Sequence, residues 1–317
     1  MNMIAFKITR SGNVPLQTQA KSLDEMTKEL PQGFYTTFST LSNGTKVLGL
    51  QAHLQRLYIP AAESGLKPSV DESTLRARLA DLAKINLPHE SRIRLILTKD
   101  DGTVYAGIQP FAPLPDSVYQ NGVHAVTSGI SRSDPRIKGT DFIARSAEQR
   151  KLVKGDVFEV LLTHNGKILE GMTSNFYVIA SRQAKQSRIG GRGLLRRDTC
   201  PGGQCQGEHP ARNDRATLIT ARSGILLGVT RRAVLRLARG EGMSIEYRAP
   251  EVNEKFDEAF LTSSSRGIVP IVSIDGNPVG EGKRRAEPVE AVGDWTKRLM
   301  KAYWEYVERK AEGIGNW

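Results

Sequence analysis

A lone lysine and a later carboxylate bracket the most constraining stretch of this 317-residue chain. Lys138 stands in DPRIKGTDF, shortly after Pro135, whose ring biases its neighbours toward extended or turn backbone. Residues 141–154 set Phe142, Ala144, Ala147 and Leu152 among charged positions, a spacing that predicts a helix. An apolar run at 157–163, the dipeptide Asn165-Gly166 and a second run predict a β-hairpin whose returning strand ends at Glu170. A short apolar strand is expected at 175–180. The lysine and the carboxylate are thereby expected at sheet edges, where side chains are held rigidly.

Upstream, residues 3–9 and 33–40 read as strands, the second (GFYTTFST) β-branched and aromatic and followed by an Asn43-Gly44 turn. Residues 50–65 predict a helix carrying His53 and Arg56, interrupted near Pro60. Ser69 to Glu72 has the form of a capping box opening a helix with Leu75, Leu79 and Leu82 on one face. A hairpin is expected from 92–98 and 103–109 around Asp101-Gly102, with Arg92 and Arg94 on one side of their strand. Either arginine could meet a substrate carboxylate, or both could be a surface pair. Pro110, Pro113 and Pro115 then suggest a linker at 113–119, dividing a small domain, 1–112, from a large one, 120–317.

Beyond a strand at 124–128 and the lysine-to-hairpin stretch, residues 181–215 break the pattern. They are rich in Gly, Arg and Gln and carry eight Lys/Arg against three Asp/Glu, nearly half of the chain's net charge of +11. Such a loop attracts phosphates without specificity, but it lacks stacking aromatics, so a solvated insertion is expected rather than a nucleic-acid site. Cys200 and Cys205 lie inside it with only His209 nearby, too few ligands for a metal site. Strands at 217–221, 244–249 and 258–262 are expected, with a glycine turn at GILLGVT feeding a helix near Thr230. Free N–H groups at such a helix start favour an anion. A serine run, 263–265, follows the last of these strands, and 289–312 predicts an amphipathic helix with Trp295, Leu299, Tyr303, Tyr306 and Val307.

A chain of this length can bury a large core, and its 39% apolar and 25% charged composition suits a soluble globular protein. No run approaches about 18 consecutive apolar residues, and the first residues lack a secretory pattern, so a cytoplasmic protein is expected.

Five segments in order resemble the class IV, fold type IV pyridoxal-phosphate enzymes: branched-chain and D-amino acid aminotransferases and aminodeoxychorismate lyase. They are HLQRL at 53–57, IKGTDF at 137–142, LEGMTSNFYVI at 169–179, GILLGVTRRAVL at 224–235 and LTSSSRGIVPI at 261–271. The resemblance implies an α+β fold of two domains with pyridoxal 5'-phosphate in the cleft between them. It implies that Lys138 forms the Schiff base and then carries the proton, while Glu170 meets the pyridine nitrogen. Arg56, Val229, Thr230 and Ser264 are implied to hold the phosphate, with Gly228 allowing its close approach. Tyr35, Thr37 and Arg94 are the candidate substrate contacts.

The reaction this implies moves an amino group from an amino acid, branched-chain-like or similar, to a 2-oxo acid. The alternative is a lyase giving 4-aminobenzoate and pyruvate, to which Tyr35-Thr36-Thr37 is similar; a cofactor- or nucleic-acid-binding protein without turnover is a third reading. Branched-chain enzymes commonly have a tyrosine where this chain has Phe142, which cannot donate a hydrogen bond. A homodimer is implied by the family; no metal and no membrane partner are expected.

Overall fold

The computed structural model describes residues 3–132, 134–182, 215–280 and 292–314. Its first sheet is antiparallel and has seven strands. In chain order these are β1 (Ile4–Ile8), β2 (Asn13–Pro15), β3 (Gly33–Leu41), β4 (Lys46–Val47), β5 (Ser91–Thr98) and β6 (Val104–Pro110), with a late strand from the far end of the chain. Three helices accompany it: α1 (Leu23–Glu29), α2 (Leu50–Glu63) and α3 (Glu72–Ala83). The spatial order runs from the late strand through β4, β3, β5, β6 and β1 to β2.

Alternation along β3 explains its two buried faces. Phe34 and Phe38 share a core with Leu50, Leu54 and Leu57 of α2 and with Leu75, Leu79 and Leu82 of α3. Tyr35 packs on the other face with Leu23 and Met26 of α1 and Ile96 of β5. The apolar stripe of α2 is what holds it there: Leu50, Leu54, Leu57 and Ala61 are all fully buried, and truncating one such leucine costs about 2–5 kcal/mol. The expected capping box at Ser69 is not formed. Asp71 caps α3 instead, its carboxylate accepting from the Thr74 N–H at 2.7 Å, while the Ser69 N–H is spent on Gly102 O.

The expected linker is only partly loop. From Asp116 the chain enters α4 (Asp116–Asn121) and then the second sheet, beginning with β7 (Val123–Ser128). Two short helices, α5 (Asp141–Arg145) and α6 (Ala147–Arg150), stand in place of one expected helix over 141–154. Ser146 separates them: its hydroxyl donates back to Phe142 O at 2.6 Å, a local bond that competes with helix continuation. The sheet continues with β8 (Val157–His164), β9 (Lys167–Gly171), β10 (Asn175–Arg182), β11 (Arg215–Thr220), β12 (Ser244–Tyr247), β13 (Glu258–Ser263), β14 (Gly267–Ile274) and β15 (Asn277–Pro278).

This sheet is mixed. β7 runs parallel to both β14 and β8, and β11 runs parallel to β12 with helix α7 (Val229–Gly240) as the crossover. Such a crossover places the start of α7 beyond the carboxyl end of β11, the edge where α/β sheets bind ligands. β10 and β11 pair out to Arg182 and Arg215, so the basic stretch departs from the ends of adjacent strands. Residues 183–214, with Cys200, Cys205 and His209, lie outside the described residues.

Helix α8 (Asp294–Lys310) packs Trp295, Leu299, Tyr303 and Val307 against β10, β13 and α7. It ends at Lys310, earlier than expected, because Glu312–Gly313 forms β16, the late strand, paired with β4. The Glu312 carboxylate also accepts from the Leu50 N–H at 3.1 Å, so the last described residues fasten the second half onto the first.

Candidate active site

A cavity of about 590 Å³ opens between the two sheets. Lys138 reaches it because its backbone is laid along β3. Lys138 O accepts from the Tyr35 N–H at 2.9 Å, Gly139 bridges Phe34, and the Thr140 N–H donates to Gly33 O at 3.0 Å. The Thr140 hydroxyl closes the clamp by accepting from the Gly33 N–H at 2.9 Å. Gly33 also lies tightly against β5, where a Cβ would stand 2.3 Å from Leu97 O. The Lys138 amine then sits 4.9 Å from the Tyr35 ring centroid. Desolvation, followed by the charges of Arg56, Arg132, Arg94 and Arg92, holds its pKa well below the ordinary lysine value. A lowered pKa favours the neutral, nucleophilic form of the amine.

Glu170 faces the same cavity from β9 and is buried. Its Oε1 accepts from Arg132 Nε at 2.7 Å and its Oε2 from the Leu226 N–H at 3.0 Å. Burial raises its pKa, and the Arg132 charge opposes that rise. Arg132 carries no signal in the sequence, standing alone between Ser131 and Ser133 ahead of the lysine. It donates to Met172 O at 3.0 Å, and its guanidinium carbon lies 3.9 Å from the Phe142 ring centroid. Phe142, buried at the position where the resemblance anticipates a tyrosine, thus supplies a flat platform for Arg132.

A third wall is made of groups suited to an anion. Val229, Thr230, Thr262, Ser263 and Ser264 line it, together with Arg56. Asn175 shapes the turn before α7, donating to Leu226 O at 2.7 Å and accepting from the Gly228 N–H at 3.1 Å. A Cβ on Gly228 would lie 2.2 Å from that Asn175 oxygen, so glycine is required for closeness rather than for its φ of −63°. Arg56 donates to Leu227 O and so braces the same turn. Desolvation brings its pKa down to about 10. The Ser263 hydroxyl, Arg132 Nη1 and Arg92 Nε, on residues that line the cavity, are buried without a hydrogen-bond partner among the described residues. Buried polar atoms ordinarily find partners, so unfilled ones gathered around one cavity indicate a polar, anionic ligand. The sequence singles out Ser264 in the turn after β13; Ser263, the last residue of that strand, borders the cavity as well.

Tyr35, Thr37 and Arg94 also reach the cavity. Arg94 is the most heavily engaged: Nε donates to the Thr37 hydroxyl at 3.0 Å, and Nη1 to Leu23 O, Thr27 and Asp24. Asp24 also receives Arg150 at 2.8 Å. His53 is fully buried, bonded through Nδ1 to the Thr36 hydroxyl at 2.7 Å, with its pKa lowered by desolvation and by Arg56 and Lys138.

An amino-transferase class IV family model matches residues 33–274. The chain is 30% identical over 267 residues to a D-alanine aminotransferase of Bacillus licheniformis, covering 80% of each chain. It is 22% identical over 295 residues to a branched-chain-amino-acid aminotransferase of Pseudomonas aeruginosa, covering 86% of this chain and 83% of that one. In fold it is similar to a putative branched-chain amino acid aminotransferase of Thermotoga maritima, with a TM-score of 0.68 at 23% identity over 96% of both chains. It is also similar to a branched-chain amino acid aminotransferase from T.th. crystallised with pyridoxamine 5'-phosphate. That match has a TM-score of 0.72 at 16% identity over 99% of both chains.

Proposed function

The chain belongs to the class IV aminotransferases, and from that premise we propose that Lys138 is the residue that binds the cofactor aldehyde and carries the proton. The family's cofactor is pyridoxal 5'-phosphate, and the α+β architecture of two domains is fold type IV. The single observation that carries the proposal is the meeting, around one cavity, of a desolvated lysine amine and a buried carboxylate from separate segments.

The lining fits the cofactor. Arg56, the N–H groups at Val229 and Thr230, and the hydroxyls of Thr230, Ser263 and Ser264 would hold its phosphate, and Glu170 its ring nitrogen. When bound, pyridoxal 5'-phosphate supplies an aldehyde for the amino group and a ring that withdraws electrons from the substrate α-carbon. Lys138 Nζ, its pKa lowered by desolvation, would take the α-proton and return it on the other side of the exchange. Glu170, held by Arg132 and the Leu226 N–H, would face the ring nitrogen and favour its protonated form. Tyr35 shapes the cavity wall beside the amine.

The reading is an amino acid donor and a 2-oxo acid acceptor; the relatives' names favour D-amino acids or branched-chain amino acids. A lyase reading keeps one supporting feature, since Thr37 borders the cavity and its hydroxyl, although it accepts from Arg94, can still donate. Loading the purified protein with cofactor and titrating with L- and D-amino acids separates the two. An aminotransferase loses its visible band with a donor and regains it with a 2-oxo acid; a lyase releases pyruvate from aminodeoxychorismate with no acceptor added. Among the described residues no helix is long and apolar enough to cross a membrane. A cytoplasmic homodimer completes the proposal, and sedimentation of the loaded protein checks its oligomeric state.

A further inference from the structure

Two arginines, Arg94 and Arg231, are buried as whole residues among the described ones. Arg94 meets the Asp24 carboxylate at 2.6 Å, whereas Arg231 meets no carboxylate among the described residues. Arg231 lies in the first turn of α7 and is 4% exposed. Its Nη1 donates to the Thr220 hydroxyl at 2.6 Å and its Nη2 to Ala221 O at 2.8 Å. Its guanidinium carbon lies 5.6 Å from the Tyr177 ring centroid. The Thr220 hydroxyl in turn donates to Phe176 O at 2.9 Å. These neutral acceptors satisfy N–H groups without cancelling the charge. A buried cation lacking a counter-charge is costly, and the positive end of the α7 dipole adds to the cost.

The neighbours of Arg231 say where a counter-charge can enter. It directly follows Val229 and Thr230, which line the anion wall of the cavity. A Cβ on Gly228 would stand 3.4 Å from Arg231 Cβ. Thr262 lines the same wall, and its hydroxyl is 3.4 Å from that of Tyr177, whose ring the guanidinium approaches. Arg231 therefore stands behind this wall, tied to the carboxyl end of β11. We propose that Arg231 is a positioning residue for the cofactor phosphate: it fixes the first turn of α7, and its buried charge is balanced by the phosphate dianion instead of by a side chain. This rests on the aminotransferase reading and adds to it a residue that acts on the phosphate from behind the residues that would touch it.

The test measures, by the visible band, the affinity of the cofactor-free protein for pyridoxal 5'-phosphate and for pyridoxal, which carries the same aldehyde and no phosphate. Wild type is compared with Arg231→Gln, which keeps a donor and removes the charge, and with Arg231→Lys, which keeps the charge. Arg239→Gln, at an exposed position in the last turn of α7, controls for net charge. The preference for the phosphorylated compound should fall at least about 10-fold in Arg231→Gln, recover in part in Arg231→Lys and hold in Arg239→Gln. Pyridoxal affinity should be alike in all four proteins. An Arg231→Gln protein that keeps the wild-type preference overturns the proposal, and so does an Arg231→Lys protein no better than Arg231→Gln. A loss shared equally by both compounds overturns it too, since a merely structural residue would give that, as does an equal fall in Arg239→Gln. Should Arg231→Gln not fold, Arg231→Lys decides, a retained preference supporting the proposal and a collapsed one overturning it. If the wild type takes neither compound, the aminotransferase reading fails, and calorimetry with inorganic phosphate then decides the role of Arg231. Weaker phosphate binding in Arg231→Gln than in wild type supports an anion held through Arg231, and equal binding overturns it.

Discussion

The two ends of the cavity treat charge in opposite ways. At the lysine end Glu170 and Arg132 pair with side chains 3% and 5% exposed, and each is tied further to backbone. At the far end Asp24, 35% exposed, is divided between Arg94 and Arg150, while Arg92 has no carboxylate partner among the described residues. A dry, closed pair fixes geometry and is costly to break. A wet, shared carboxylate beside an unpaired cation stabilises the fold weakly and leaves an opening for an incoming anion.

Removing the amine breaks the first end most completely. Lys138→Ala should lower turnover by at least about 10³-fold with every donor, since no second lysine among the described residues borders the cavity; steady-state assays with one donor and one acceptor check this. Glu170→Ala strands Arg132 in a buried site and should destabilise the protein by about 3 kcal/mol in urea unfolding, alongside loss of activity. An unfolding midpoint equal to wild type would show that the pair is less dry than its geometry says.

Lys138 itself has a stability cost. Its folded pKa is depressed, so between that value and the ordinary 10.5 the unfolded chain holds a proton the folded chain lacks. Stability therefore rises with pH across this window. Lys138→Met should stabilise the cofactor-free protein at pH 7, and the gain should shrink as pH approaches 10.5. A gain that does not change with pH would assign it to packing instead. His53 acts with the same sign below its ordinary 6.5, adding acid sensitivity. At the far end Asp24→Asn should cost less than about 1 kcal/mol, because the carboxylate is partly in water. A larger loss would make that end as closed as the other.

Much of this is legible because period and punctuation agree. GFYTTFSTL reads as a strand and packs both of its faces, and Asn165-Gly166 takes the positive φ values of a hairpin turn. The helix start at Val229 follows from its glycine. Where two local signals compete, the sequence is ambiguous. Ser69 and Asp71 both offer a cap, and Asp71 prevails while Ser69 pairs with the loop at Gly102. Ser146 reads as an ordinary helical position until its hydroxyl turns back on Phe142 O. Arg132 and the freedom of Arg92 are illegible for another reason: each depends on which carboxylate the tertiary fold brings near, and no spacing along the chain encodes that.

The proposal that Lys138 binds the cofactor is the one on which the other proposed site roles depend. The direct measurement is to load the protein with pyridoxal 5'-phosphate, reduce with borohydride, digest, and map the pyridoxyl-modified lysine by mass spectrometry. Modification of Lys138 alone, lost in Lys138→Ala, is the predicted result. A label on a different lysine, or a loaded protein that takes no label, would contradict it.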